Sequence, residues 1–171
     1  MSLAGINVRR IEAEELRALQ AVIPAWNSTE YAKRLAAQDR EELVQVVAWA
    51  AAAPVGKGMV LFPGYEEYST SARREGCAEI RDVGVVGSAR RRGVATALIG
   101  ALEDAARERD MDRIGLTVAQ GEEDASARAL YDKLGYAFAH GPFITSTNLW
   151  DEGGVPIPVG AVMIYRVKEW G

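Results

Sequence analysis

The stretch Val85–Leu98, "VVGSARRRGVATAL", runs three consecutive arginines into a glycine, and a run of small, helix-compatible residues starts directly after it. The rest of the chain does not share this positive charge: 20 Lys and Arg stand against 24 Asp and Glu in 171 residues, a formal net charge of −4. A helix that opens near Gly93 leaves its first four backbone N–H groups without partners of its own. Its aligned peptide dipoles add roughly half a positive charge at that end. Glycine at 93 lets an anion approach the backbone closely, and Ala95 keeps the next wall low. Arg90, Arg91 and Arg92 add charge around this opening. The pattern reads as an anion cradle, most naturally for a phosphate. A solvated charge run is the competing reading, and the pattern alone leaves both open.

Other phosphate signatures are missing. There is no G-x-x-x-x-G-K-[ST] and no G-x-G-x-x-G behind a strand, so neither a P-loop nor a dinucleotide fingerprint accounts for the cradle. The acidic balance argues against a general nucleic-acid binder. A single cysteine, Cys77, rules out an intramolecular disulfide and fits a reducing compartment. No apolar run approaches the ~20 residues that span a bilayer, and "MSLAGINVRR" lacks the apolar centre of a secretion signal. These features predict a cytoplasmic protein without a membrane partner, folded as one domain over residues 1–171.

Working outward from the arginines, "EIRDVGVV" before them is rich in β-branched residues and reads as a strand. After them, Leu98, Ala101, Leu102, Ala105 and Ala106 fall on one helical face. "RIGLTVA" reads as the next strand. Asp124 is placed to cap a helix through Leu134, which Gly135 would end. Upstream, "INVRRI" is a strand, two short helices follow, and "ELVQVVAWAAA" and "PVGKGMVLF" are consecutive strands. "PGYEEYSTSARREG" reads as loop with at most a helical turn. "YAFAH" and "GAVMIYRV" are closing strands, with Gly141–Pro158 as a long loop between them. The order implies an α/β (α+β) fold, a mixed sheet covered by helices.

Arg90-x-x-Gly93-x-Ala95 matches the [QR]-x-x-G-x-[GA] acyl-CoA motif of the GNAT N-acetyltransferase superfamily, and the chain resembles that family well beyond six residues. "EIRDVGVV", "ATALIGALEDAARE", "IGLTVA" and "ARALYDKLGYAF" follow in the family's order, covering Cys77–Phe138. "INVRRIEAEELRAL" resembles the family's opening more weakly. The resemblance implies the GNAT fold: a mixed, mostly antiparallel sheet of about seven strands flanked by about four helices, with splayed central strands forming an acyl-CoA cleft. It implies acetyl-CoA as acyl donor, its pyrophosphate held by the backbone around Arg91, Gly93, Val94, Ala95 and Thr96, with Arg90 or Arg92 reaching another phosphate. Val83 and Val85 would pair with the pantetheine arm, and Ala127 would border it. Gly84 supports a close approach independently, since glycine inside a strand often marks one. Family members commonly carry asparagine where this chain has Asp124, so its contact to the cofactor arm transfers less directly.

The implied reaction is direct attack of a primary amine on the acetyl thioester through a tetrahedral intermediate. An ammonium with a pKa near ~10.4 has to lose a proton first. Glu79 is the first candidate for that base by its family spacing before Val85. Asp82 competes, because a bulge would reverse which side chain faces the cleft, and a chain of waters would replace either. Each carboxylate also fits a plain ion pair. Tyr131 stands at the family's leaving-group acid position, and the Val85 N–H is the implied oxyanion donor.

The acceptor amine, on a small molecule or peptide, is not named by the sequence. Trp26–Tyr31, Tyr65–Arg74 and Phe143–Pro158 are candidate walls. Tyr65, Tyr68 and Trp150 would sandwich an apolar acceptor, and Glu66, Glu67, Asp151 and Glu152 would attract a cation. His140 is the single histidine and the carboxylates show no ligand spacing, so no metal is predicted. Homodimers, frequent in the family, are compatible with the chain. A non-catalytic acyl-CoA-binding regulatory module is the alternative to the enzyme.

Overall fold

The computed structural model describes residues 5–25, 27, 29–150 and 156–170. The β-branched stretches form β1 Ile6–Arg10, β2 Leu43–Ala50, β3 Ala53–Leu61, β4 Ala78–Val85, β5 Arg113–Ala119, β6 Ala137–Trp150 and β7 Pro156–Glu169. They build one seven-stranded sheet in the order β1-β2-β3-β4-β5-β7-β6. Every neighbour contact is antiparallel except the parallel β4–β5 pair. The helices are α1 Leu16–Val22, α2 Glu30–Asp39, α3 Thr70–Glu75, α4 Val94–Arg107 and α5 Ala125–Lys133. Among the described residues, no helix is long and apolar enough to cross a membrane.

Each face of the sheet packs its own layer. On one face the α4 stripe of Leu98, Ile99 and Leu102 is buried against Val46, Val60, Ile80 and Ile114. Complete burial of such side chains contributes roughly 1.5–3 kcal/mol each. On the other face α1, α2 and α3 cover Val47, Trp49, Leu61 and Tyr165 with Leu19, Tyr31, Ala37 and Ala72. Strand alternation sorts the residues of β4: Ala78 and Ile80 face α4, while Cys77, just before the strand, packs into the opposite core. Glu103 fastens α4 to the sheet by accepting hydrogen bonds from the Tyr136 hydroxyl and from Lys168 Nζ, each 2.9 Å long.

Three local expectations are corrected. Pro63–Gly76, expected as loop with at most a helical turn, carries the six-residue α3, which Ser69 caps by accepting from the Ala72 N–H and Gly76 closes in the left-handed conformation. The described residues of Gly141–Pro158, expected as a long loop, are instead strand. β6 runs to Trp150 and β7 begins at Pro156, and residues 151–155 lie outside the described residues. Proline at 156 and 158 is tolerated there because β5 pairs with β7 only from Met163 onward, so the N–H a proline lacks is not needed on that side. Asp124 stands at the N-cap of α5 but makes no side-chain capping bond.

Gly115, in β5 at the root of the β4–β5 contact, lies under the Tyr165 ring, and a Cβ there would come within 2.6 Å of its Cε1. Tyr165 is fully buried and has nowhere to move. Gly115→Ala should therefore destabilise the fold by about 1–3 kcal/mol, the usual cost of overpacking. Urea denaturation measures it, and an unchanged midpoint would contradict this packing.

Candidate functional site

The parallel β4–β5 contact is short. Ala78, Glu79 and Ile80 pair with Ile114, Gly115 and Leu116, and no further pair forms although β4 continues to Val85 and β5 to Ala119. Beyond Ile80 the two strands diverge and open a wedge in the middle of the sheet. A bulge helps set this geometry. Lys57 pairs with Gly84 and Met59 with Arg81, so Asp82 and Val83 together oppose Gly58 alone. Asp82 takes the left-handed conformation there, at φ 56°. The backbone of β4 past the bulge keeps polar groups turned to the wedge. Val86 donates its N–H to the Val55 carbonyl at 3.0 Å. Alternation along an antiparallel ladder then directs the N–H of Val85 away from β3, to the side that β5 has left.

One opening of this wedge is a cleft of about 540 Å³. Val83, Gly84 and Val85 form its strand wall, and Ala127, Leu130 and Tyr131 of α5 form the facing wall. At its end stand Arg90, Arg91, Gly93, Val94, Ala95 and Thr96. Arg91 at φ 57° and Gly93 at φ 81° turn the chain sharply into α4, leaving the first-turn N–H groups of a 14-residue helix at the cleft. Arg90 is exposed and braces the turn through Nε, which donates to the Val85 carbonyl at 3.2 Å. Such an end suits an anion. Gly84 has open space where a Cβ would be, so the wall is low along its length.

The second opening is a smaller cavity of about 210 Å³ beside Ile80, Arg81, Asp82, Leu116 and Thr117. Val83 and Tyr131 border both openings. The Tyr131 hydroxyl has no hydrogen-bond partner among the described residues, and its ring meets Tyr136 edge-on at 5.8 Å. Burial, with Asp124 adding to it, raises the Tyr131 phenol above its ordinary value, so it stays protonated at neutral pH.

Asp82 lies on this cavity and is bound through one oxygen. Its Oδ2 accepts from Arg34 Nη1 at 2.6 Å and from Lys57 Nζ. Arg34 also donates through Nε to Glu30 at 2.9 Å. Burial alone would push the Asp82 carboxyl up; Lys57 and Arg34 overcome that and hold it below the ordinary carboxylate range. Burial draws Lys57 down in spite of its partner. Glu79 sits differently. It is fully buried, its Oε2 accepts from the Ser69 N–H at 3.0 Å and its Oε1 from the Ser69 hydroxyl at 2.7 Å. It borders neither opening.

The wedge thus gathers Asp82, Val83, Val85, Arg90, Arg91, Gly93, Val94, Ala95, Thr96, Asp124, Ala127 and Tyr131. Arg92 is exposed and off the cleft lining. Tyr65 and Tyr68 are corrected as acceptor walls: they are 3% and 5% exposed and belong to the core, with the Tyr68 hydroxyl donating to the Cys77 carbonyl. Burial pushes the Cys77 thiol up to about 11, which leaves it unreactive. Trp26, Asp151, Glu152 and the Trp150 side chain lie outside the described residues. Sequence reading missed Arg34 and Lys57; a lone lysine inside the apolar run "PVGKGMVLF" is the signal that a buried carboxylate partner is needed.

A family model described as the GNAT acetyltransferase family matches residues 7–136. The chain belongs to the GNAT acetyltransferase family. No curated protein matches it by sequence. Among solved structures, a ribosomal-protein-alanine N-acetyltransferase from Brucella melitensis is 20% identical, with a TM-score of 0.66 over 96% of this chain and 99% of that one. An N-acetyltransferase from Staphylococcus aureus is 13% identical, with a TM-score of 0.68 over 96% and 98%. A GNAT acetyltransferase from Elizabethkingia anophelis with acetyl-CoA bound is 15% identical, with a TM-score of 0.61 over 97% and 99%. The mostly antiparallel sheet with its single parallel central pair is the GNAT fold.

The ion pairing of this GNAT site fixes a pH signature. A carboxylate held below its unfolded value contributes stability in full above the ordinary range and loses it as pH falls through the folded value. Asp82→Asn should differ most from the parent near pH 7 and converge with it as pH drops below ~3.9. Urea midpoints across that range measure it; a gap constant from pH 7 to pH 3 would contradict the pairing.

Proposed function

We propose that this chain is an N-acetyltransferase that moves an acetyl group from acetyl-CoA to a primary amine by direct attack. The observation that carries the reading is the wedge: a helix end with open N–H groups at one extremity, a protonated tyrosine hydroxyl without a partner among the described residues where the two openings meet, and a carboxylate beyond it. The cleft fits the donor on chemical grounds. Exposed first-turn N–H groups and Arg90 or Arg91 suit a pyrophosphate, and the unpaired edge of β4 suits the amide-bearing pantetheine arm. When bound, acetyl-CoA supplies a thioester, the electrophile of the reaction.

Each residue then has a task. Asp82 receives a hydrogen bond from the acceptor nitrogen and fixes its approach. It is held too acidic to keep a proton near neutral pH, so the attacking amine releases its proton to water at the cavity mouth, and Asp82 orients more than it deprotonates. The Val85 N–H stands toward the carbonyl oxygen as negative charge develops there. Bond formation between nitrogen and the acetyl carbon is matched by cleavage of the carbon–sulfur bond, and Tyr131 gives its proton to the departing thiolate. Glu79 serves this site from beneath, by holding Ser69 and with it the start of α3.

Two substitutions test the reading. Gly93→Glu should abolish coenzyme A binding in calorimetry while the fold persists by circular dichroism; retained affinity would contradict the cradle. Tyr131→Phe should lower turnover, followed by thiol release, by about a hundredfold or more, the scale of general acid–base catalysis, with donor affinity little changed. Undiminished turnover would remove Tyr131 from the acid role. Donor binding by the parent protein with no thiol release on any amine would favour an acyl-CoA-binding module instead.

A further inference from the structure

Resting on that reading of the site, we infer that the acceptor is a small amino acid with a free carboxylate, its amine taken by Asp82 and its carboxylate by Arg81. Arg81 directly precedes the β4 bulge, Asp82 opens it, and both border the 210 Å³ cavity. Their hydrogen-bonding capacity is complementary. Asp82 spends Oδ2 on Lys57 and Arg34 and has Oδ1 free of partners among the described residues. Arg81 gives Nη2 to the Glu67 carbonyl at 3.1 Å. Its Nε is buried without a hydrogen bond, 3.5 Å from Glu79 Oε1, and its Nη1 has no partner among the described residues. With Nε turned to Glu79, Nη1 and the second Nη2 hydrogen are what remain for a ligand, and a guanidinium can offer such a pair of parallel N–H groups to a carboxylate.

Charge balance supports the same class. The cations Arg34, Lys57 and Arg81 are offset by Asp82, Glu30 and Glu79, each within ion-pair distance of one of them. These six groups balance, so a zwitterion adds no surplus charge among them. Outside this set, exposed Glu66 and half-buried Glu67 share one cation, Lys33, at 2.5 and 3.5 Å, which leaves one carboxylate charge over and makes a polyamine the competing acceptor that the test has to separate. The cavity also lies below the ~300 Å³ at which drug-sized pockets begin, so its occupant is small.

The test compares free amino acids with their amides and with spermidine as acceptors, following thiol release from acetyl-CoA with the parent protein and with Arg81→Gln. The parent should favour the free acid over its own amide by about tenfold or more in kcat/KM, one well-made charged contact. Arg81→Gln should erase that preference by raising KM for the free acid far more than for the amide, with affinity for coenzyme A unchanged. Arg81→Lys should restore part of the preference. Equal use of acid and amide, preference for spermidine, or a preference that survives Arg81→Gln would each overturn the inference while leaving the acetyltransferase reading standing. Thiol release with none of these amines, nor with any other primary amine, would sink that reading along with it.

Discussion

The wedge exists because β4 and β5 stop pairing after Ile80 and Leu116. Strands that diverge inside a sheet leave main-chain N–H and C=O groups facing one another across a gap, and such groups need partners. The protein holds the gap open by three means. The bulge opposite Gly58 twists β4, α4 packs under the divergence through Leu98 and Leu102, and α5 stands along the far wall with its Arg128 donating to the Ala119 and Gly121 carbonyls. Ladder, helix and loop together prevent the strands from closing. What remains is a slot with the polarity of a missing strand.

The electrostatics of the slot are divided along its length. At the α4 end, positive charge comes from the backbone and exposed arginines, with Gly93 providing access. At the opposite end, charges are present in matched sets, buried or half-buried, and fixed by Arg34 and Lys57. The two ends meet at Tyr131, whose burial keeps its proton in place. The two openings therefore approach one hydroxyl from different sides. The network around Asp82 also ties α2 to β3 and β4, so the acceptor side is positioned by the core and not by surface loops.

Much of this was legible in the sequence, and for a physical reason. Apolar periodicity marks α4, β-branched runs mark β4 and β5, and a glycine after arginines marks a helix that starts where an anion is welcome. Glycine at 135 stops α5 as anticipated, at φ 87°. Hidden features depend on contacts distant along the chain. The Arg34–Asp82 pair spans 48 residues, and nothing local to either residue announces the other. Tyr65 and Tyr68 look like binding-loop aromatics by composition, yet burial against α2 and β3 makes them core. The β6–β7 hairpin was obscured by Gly and Pro, which mark a loop except where a strand lacks a neighbour on one side.

The direct measurement for the central claim, that the wedge clasps a strand-like ligand by its diphosphate, is calorimetric titration with coenzyme A and with pantetheine, which shares the arm and lacks the phosphates. The account expects coenzyme A to bind about a hundredfold more tightly, a difference of roughly 2.8 kcal/mol. Equal affinity for the two, or no heat with coenzyme A on folded protein, would contradict it.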